Sequence, residues 1–397
     1  MMNKNSTIFT GLTLLIIILL GGCKAAPRKQ VQDSPQNFQY PHKPVHGTAF
    51  IDPGKFAGWP ANNGVWIWDG KEILVGLTVG PYEVKTGHNL GEPYTSLLSR
   101  SLDGGETWES IDPENYIGDG GELVALDYPM DIHHPDFALR VTGKGYHGND
   151  LPEGGFYYSL DRGVSWKGPY ALKGLESIPA LDSLELSPRT DYIINSDGSL
   201  QVFISARKPG VFGSDRLFCA RSVDGGLSFE LQAWVVPLDD PFRAVMSSTV
   251  RCSDLKLVSS VRRREIDTKR CWVDAYLSED NGSTWKFLSK VGDTGPENGN
   301  PPALLKLKDG RLVCAYGQRE RQQIIARISD NEGATWGSEI IVREGFWADV
   351  HGDADLGYPR MVQRRDGKIL VMYYWATEEM NEQQIAITVW DPNRMKK

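Results

Sequence analysis

One eight-residue pattern, repeated five times, limits what this chain can fold into. Ser101-Leu-Asp103-Gly-Gly105-Glu-Thr107-Trp108 returns as Ser159-Leu-Asp161-Arg-Gly163-Val-Ser165-Trp166 and as Ser222-Val-Asp224-Gly-Gly226-Leu-Ser228-Phe229. Two more copies follow, Ser278-Glu-Asp280-Asn-Gly282-Ser-Thr284-Trp285 and Ser329-Asp-Asn331-Glu-Gly333-Ala-Thr335-Trp336. The starts lie 51 to 63 residues apart, and a recurrent period of that size marks a repeat architecture. Within each copy, Asp or Asn can fold its side chain onto nearby backbone N–H groups. Gly supplies a positive φ, and the closing aromatic returns to a sheet to pack. The pattern reads as a hairpin turn whose aspartates act as structural staples.

Between the turns lie short β-branched and aromatic runs such as Glu72–Leu77, Leu200–Ser205, Arg311–Tyr316 and Lys368–Tyr373, bounded by Asp-Gly turns such as Asp309-Gly310 and Asp366-Gly367. No long segment has the helical period, so the chain reads as all-β. Four short strands per repeat make a propeller blade. Five turn motifs give five blades, and the segment from Asp355 to Pro392 adds three strands without one. A strand near His46–Ile51 would complete that last sheet and hide its edge. The prediction is a six-bladed β-propeller over residues 45–397.

The N-terminus reads as an address. Lys4 precedes an apolar run, Ile8–Leu20, which is short for a membrane span. Leu20-Gly21-Gly22-Cys23 follows and resembles the bacterial lipobox, at which the chain is cut before a Cys that becomes acylated. Residues 1–22 are thus expected to be a lipoprotein signal peptide and 23–44, polar and proline-rich, a lipidated Cys23 with a flexible tether. Lys24 after the Cys points to the outer membrane, with its periplasmic and cell-surface faces both open. Acyl chains on Cys23 would make the membrane a partner. The 43 basic and 51 acidic side chains leave a net charge of −8, which disfavours a general nucleic-acid binder. Cys219, Cys252, Cys271 and Cys314 match no zinc spacing and read as buried thiols.

Motif, spacing and blade count together resemble the sialidase-like Asp-box (BNR-repeat) superfamily. That resemblance implies a carbohydrate site with three arginines gripping a carboxylate, a Tyr nucleophile helped by a Glu, and an Asp acid/base. Carried over residue by residue, Leu356-Gly-Tyr358-Pro-Arg360 places Tyr358 on the nucleophile. Leu257-Val-Ser-Ser-Val-Arg262 places Arg262 on the second arginine, and Tyr316-Gly-Gln-Arg319 places Arg319 on the third. The first-blade arginine motif is replaced by Trp59-Pro-Ala-Asn-Asn-Gly-Val-Trp66, which offers Asn62 and Asn63. The activating Glu falls near Ser247 and Ser248. The acid/base Asp falls within Gly87-His88-Asn89-Leu-Gly-Glu92, which offers His88 and Glu92.

Other polar groups could reach the cleft. Arg189 and Asp191 start an inner strand, Asn300 precedes the fifth blade, and Arg360 lies two residues past Tyr358. Any of these could contact a substrate. Tyr146-His147-Gly148 offers one more loop His. Of Arg262, Arg263 and Arg264, two at most can face the cleft, which leaves Arg263 solvated or paired. Tyr373-Tyr374-Trp375 reads as core packing. No phosphate loop, HExxH or GxSxG motif appears, and neither a metal nor a cofactor is expected. The resulting expectation is a lipoprotein enzyme acting on a terminal acidic sugar, uronate or sialate, as a sialidase-like glycoside hydrolase. The alternatives are a lyase or dehydratase that eliminates at a uronate of a polysaccharide such as ulvan, and a non-catalytic glycan-binding lipoprotein.

Overall fold

The computed structural model describes residues 38–116, 121–144, 151–348 and 354–396. The leader, Cys23 and Tyr146-His147-Gly148 lie outside the described residues. Six antiparallel sheets follow one another along the chain. The first has strands Lys55–Gly58, Glu72–Pro81, Thr95–Ser101 and Glu109–Ile111, and the second Ala138–Lys144, Leu151–Ser159 and Lys167–Ala171. The third runs Glu185–Ile194, Leu200–Arg207, Arg216–Ser222 and Glu230–Trp234. The fourth runs Arg243–Arg251, Leu257–Arg264, Arg270–Ser278 and Lys286–Pro296. The fifth holds Ala303–Lys306, Leu312–Gln318, Gln323–Ser329 and Ile340–Arg343.

The sixth sheet takes Gly357–Gln363, Ile369–Trp375 and Gln384–Trp390 from the end of the chain and its outer strand, Val45–Phe50, from the start. Val45 pairs with Val389 and Thr48 with Ala386, antiparallel. From the second blade to the sixth, the first strands of the sheets pack against one another in succession. The fold is the predicted six-bladed propeller, closed through the predicted strand.

The apolar runs that stand out in the sequence are the second strands of the blades. Ile369–Trp375 and Leu312–Gln318 are buried at every position. Neighbouring blades cover both faces of such a strand, so the polar alternation of a half-exposed strand disappears. The first blade's inner edge is broken instead. Lys55–Gly58 pairs with one half of Glu72–Pro81 and Val65–Trp68 with the other, and the short helix Pro60–Asn63 lies between them. The helix packs on the inner strands of the second, third and sixth blades, at the axis. The four cysteines other than Cys23 are buried and unpaired.

The five turn motifs do as read. In the first, Asp103 accepts hydrogen bonds from the Thr107 N–H at 2.9 Å and the Thr107 hydroxyl at 2.5 Å, while Ser101 Oγ accepts from the Gly105 N–H at 2.8 Å. In the fifth copy Asn331 Oδ1 accepts from the Thr335 N–H at 2.9 Å, and its Nδ2 donates to the Thr335 hydroxyl at 2.9 Å. Each copy joins the last two strands of its sheet, which are the third and fourth in the four-stranded blades. They therefore sit on the face opposite the one where inner strands begin and second strands end.

Burial raises the Asp103 carboxyl, but the Thr107, Ser101 and Glu106 hydrogen bonds together outweigh it and hold the group at about 2, against 3.8 ordinarily. This depressed value favours the fold above the unfolded pKa and is lost as pH falls toward 2. Asp103→Ala is expected to cost about 1 kcal/mol, a fall in Tm of roughly 2–4 °C, with turnover per folded molecule unchanged. Asp103→Asn, copying the fifth motif, should stay near the parent at pH 7 and lose less stability than the parent at pH 3. Thermal melts at both pH values check this, and a large loss of turnover in fully folded Asp103→Ala would contradict the structural role.

Candidate active site

In an antiparallel blade the start of the inner strand and the end of the second strand share one edge. Tyr358 begins the sixth inner strand, Tyr374 nearly ends the sixth second strand, and Arg262 nearly ends the fourth. Arg319 lies one residue past the fifth second strand, and His88 lies in the loop after the first. Four blades thus deliver five polar side chains to one edge of the ring.

Their geometry is that of one connected cluster. Arg262 Nη1 donates to Tyr358 Oη at 3.2 Å, and its Nη2 donates to the Asn298 carbonyl. The Arg262 and Arg319 guanidiniums lie 5.8 and 6.0 Å from the centre of the Tyr358 ring. Arg319 donates to the Tyr374 hydroxyl at 2.8 Å and meets Asp355 Oδ1 at 3.4 Å. Asp355 is the hub. Its Oδ1 accepts from Tyr374 at 2.6 Å and from His88 Nδ1 at 2.7 Å, and its Oδ2 accepts from the Asn89 N–H at 3.4 Å. The His88 ring stands edge-on to Trp59 at 5.0 Å and to Tyr358 at 6.2 Å between centroids.

The charges follow from this geometry. Burial alone would raise the Tyr358 phenol; Arg262, His88 and Arg319 outweigh it and bring it down to about 7, from 10.0. Burial would lower His88, but the Asp355 charge and hydrogen bond prevail and raise it above 6.5. Burial raises Asp355, and His88 and Arg319 reverse that, so it stays ionised. Tyr374 is pushed well above 10.0, first by burial and then by Asp355, against the lowering pull of Arg319. Near neutral pH the cluster therefore holds a part-ionised phenol at Tyr358 and a readily protonated imidazole at His88, facing each other.

Tyr358 also carries backbone strain. Its φ is 48°, left-handed for a bulky residue, which costs on the order of 1–3 kcal/mol. Asn300 holds it there. Asn300 Oδ1 accepts from the Tyr358 N–H at 2.7 Å, and its Nδ2 donates to the Leu356 carbonyl at 2.9 Å. Gly357, at φ 105°, has to be glycine, because a Cβ there would stand 2.3 Å from Asn300 Oδ1.

Tyr358, His88, Arg262 and Arg319 are brought together as the sequence suggests. Glu92 is not, because its loop folds back through Glu83 N–H to the Asn89 carbonyl and Gly91 N–H to the Pro81 carbonyl, leaving Glu92 exposed. Asn300 faces inward as a backbone clamp, with its amide bonded to protein and not to a cleft hydroxyl position. Arg189 bonds the neighbouring Pro188 carbonyl at 2.6 Å. Asp191 and Arg360 lie deeper, lining a cavity of about 300 Å³ with Thr190, Ser248 and Thr249. There Arg360 donates to the Ala61 and Thr190 carbonyls, and Asp191 accepts from Ser247 at 2.5 Å and the Thr249 N–H at 2.9 Å. Asn63, in place of the first arginine, braces the axial helix and accepts from the fully buried Arg140 at 2.7 Å. Arg263 is buried and paired with Asp240 at 2.5 Å.

Asp355 and Tyr374 were not expected at the site. Asp355, three residues before Tyr358, is the one available signal, while Tyr374 is hidden in an apolar run. Among the described residues no group of three or more His, Cys, Asp or Glu side chains comes together as a metal site.

The BNR repeat-like domain model matches residues 137–371. None of the curated proteins compared matches the chain. A crystal structure of a protein of unknown function from Dyadobacter fermentans is 20% identical, with 89% of this chain and 99% of that one covered and a TM-score of 0.66. The Hadza microbial sialidase Hz136 is 15% identical over 85% of this chain and 66% of its own, at a TM-score of 0.56. An α-L-arabinanase of Penicillium chrysogenum, solved with arabinobiose, is 14% identical over 90% of this chain and 99% of its own, at 0.55. At these identities the likeness is one of fold, and that fold is shared with glycoside hydrolases. With more than half of its length matched, the chain belongs to the BNR repeat-like family.

Proposed function

We propose that this protein is a carbohydrate-active enzyme acting on a terminal acidic sugar, a sialidase-like glycoside hydrolase centred on Tyr358. The observation that carries the reading is a phenol brought to about 7 between Arg262 and Arg319, opposite the His88–Asp355 pair. The two guanidiniums suit a sugar carboxylate. Tyr358 Oη attacks the anomeric carbon as the glycosidic C–O bond breaks, and the His88 imidazolium gives its proton to the leaving oxygen. Water, deprotonated by the now neutral His88, then releases the sugar from Tyr358. The hydrolase-like fold of the relatives supports this chemistry.

A second reading is favoured by one specific feature: the proton donor is a histidine, and the cluster's carboxylate, Asp355, is already bound on both oxygens. In that reading the arginines neutralise a uronate carboxylate and acidify the adjacent C–H. The Tyr358 phenolate removes that proton, and His88 protonates the departing oxygen as a C=C bond forms, which describes a lyase or dehydratase.

Arg319→Ala is expected to lower kcat/KM by roughly ten- to a hundredfold, the worth of a charge-assisted hydrogen bond. Reducing the substrate carboxyl should cause a similar loss, and the two should not add. Tyr358→Phe should abolish turnover while affinity stays nearly intact. Ultraviolet absorbance of the product then decides the chemistry, since a new conjugated double bond means elimination and its absence hydrolysis. Full activity of Arg319→Ala on the acidic substrate would overturn the acidic-sugar reading.

We further propose, from the Leu20–Cys23 pattern, that the chain is an outer-membrane lipoprotein acylated at Cys23. None of the helices among the described residues is long and apolar enough to cross a membrane. With Cys23 as the acylated residue, Cys23→Ala should abolish palmitate labelling of the exported protein, and unchanged labelling would refute the anchor.

A further inference from the structure

Arg264 is two residues beyond Arg262 on the same strand, and residues at that spacing share a face. Asn298, exposed at the rim, ties them together, because its carbonyl accepts from Arg262 and its Oδ1 accepts from Arg264 Nη1 at 3.1 Å. Arg243 is the cross-strand partner of Arg264. Both guanidiniums lie over the Phe212 ring, at 4.9 Å for Arg243 and 5.1 Å for Arg264. Phe212 itself is 53% exposed.

The two arginines differ in how their charge is met. Arg243 is held by Asp215 at 2.7 and 3.4 Å. Arg264, only 8% exposed, forms no ion pair among the described residues, and its buried Nε has no acceptor. Burial lowers the Arg264 guanidinium, and Arg243 and Arg262 add to it against the raising pull of Cys271 and Glu297. A desolvated cation with no carboxylate in ion-pair contact is costly unless a ligand supplies one. Beside it Phe212, about half exposed next to the two guanidiniums, leaves apolar ring surface of the kind a sugar can pack on.

We propose that Arg264 and Phe212 form a second, anion-selective sugar subsite, which takes an oxyanion substituent, carboxylate or sulfate ester, on the residue next to the one held at Tyr358. It rests on the reading of Tyr358 as an acidic-sugar site and deepens it. Arg262 then serves the first sugar and Arg264 the second, with Asn298 setting the spacing between them. Two strand residues, about 7 Å, separate the arginines, a step to a neighbouring sugar.

The test is calorimetric titration of the mature chain with two oligosaccharides, each ending in a uronate, one bearing a sulfate ester or carboxylate on the second residue and one neutral there. The parent should prefer the doubly charged probe roughly tenfold, the worth of one charge-assisted hydrogen bond. In Arg264→Gln that preference should fall to near unity. A second measurement needs no variant: inorganic sulfate, against chloride at equal ionic strength, should compete better with the doubly charged probe than with the singly charged one. A preference that survives Arg264→Gln, a parent that shows none, or sulfate competition equal for both probes would overturn the subsite. Comparing a sulfated with a carboxylated second residue separates the two oxyanions. A parent that binds neither probe would instead remove the acidic-sugar reading, and the subsite with it.

Discussion

The pairing of Val45–Phe50 with Gln384–Trp390 is the contact on which the rest of this molecule depends. It carries the start of the ring into the last sheet and covers the edge that Gln384–Trp390 would otherwise leave open. It also decides the chemistry. His88 comes from the first blade and Asp355, Tyr358 and Tyr374 from the sixth, so the 2.7 Å contact between His88 and Asp355 spans the seam where the ring closes. Arg319 and Arg262 come from the fifth and fourth blades. No local segment could assemble this set, which exists only once the ring has closed.

Around that seam the site separates opposite charges at short range. Asp355 satisfies both oxygens with His88, Tyr374, Arg319 and the Asn89 N–H, and so remains an anion despite full burial. Its charge favours protonated His88 and neutral Tyr374. The positive charges of Arg262, Arg319 and His88 favour ionised Tyr358. Two tyrosines with centroids 5.8 Å apart are thereby driven in opposite directions. Divergent environments of this kind mark acid and base roles in a site. The left-handed backbone at Tyr358, clamped by Asn300, fixes where the phenol points.

Much of this was legible from residues alone. The turn motifs gave the blade count because each needs fixed residue types at fixed positions. The second strands were plain because burial on both faces makes them continuous apolar runs. Motif resemblance points to Tyr358, Arg262 and Arg319, and the loop that replaces an expected Asp points to His88. Tyr374 was hidden because its neighbours Tyr373 and Trp375 are core residues, and alternation on a doubly covered strand leaves no polar signature. Asp355 precedes its strand and gains a role only from the blade closed against it. Glu92 and His88 share one loop, and only its backbone hydrogen bonds decide which of them turns inward. Asn300 reads as a cleft residue in sequence, yet the strained backbone at Tyr358 needs its amide more.

The central claim is that Tyr358 is an ionisable group near neutrality, and its ionisation can be watched directly. Tyrosine labelled with carbon-13 at the ring carbon bearing the hydroxyl reports phenol ionisation by NMR. Across a titration one tyrosine should ionise at about 7. That signal should vanish in Tyr358→Phe and move upward in Arg262→Met, which removes the nearest cation. If every tyrosine of the folded protein stayed protonated up to its ordinary value near 10, the arginines would not be holding a phenolate, and the account of this site would be wrong.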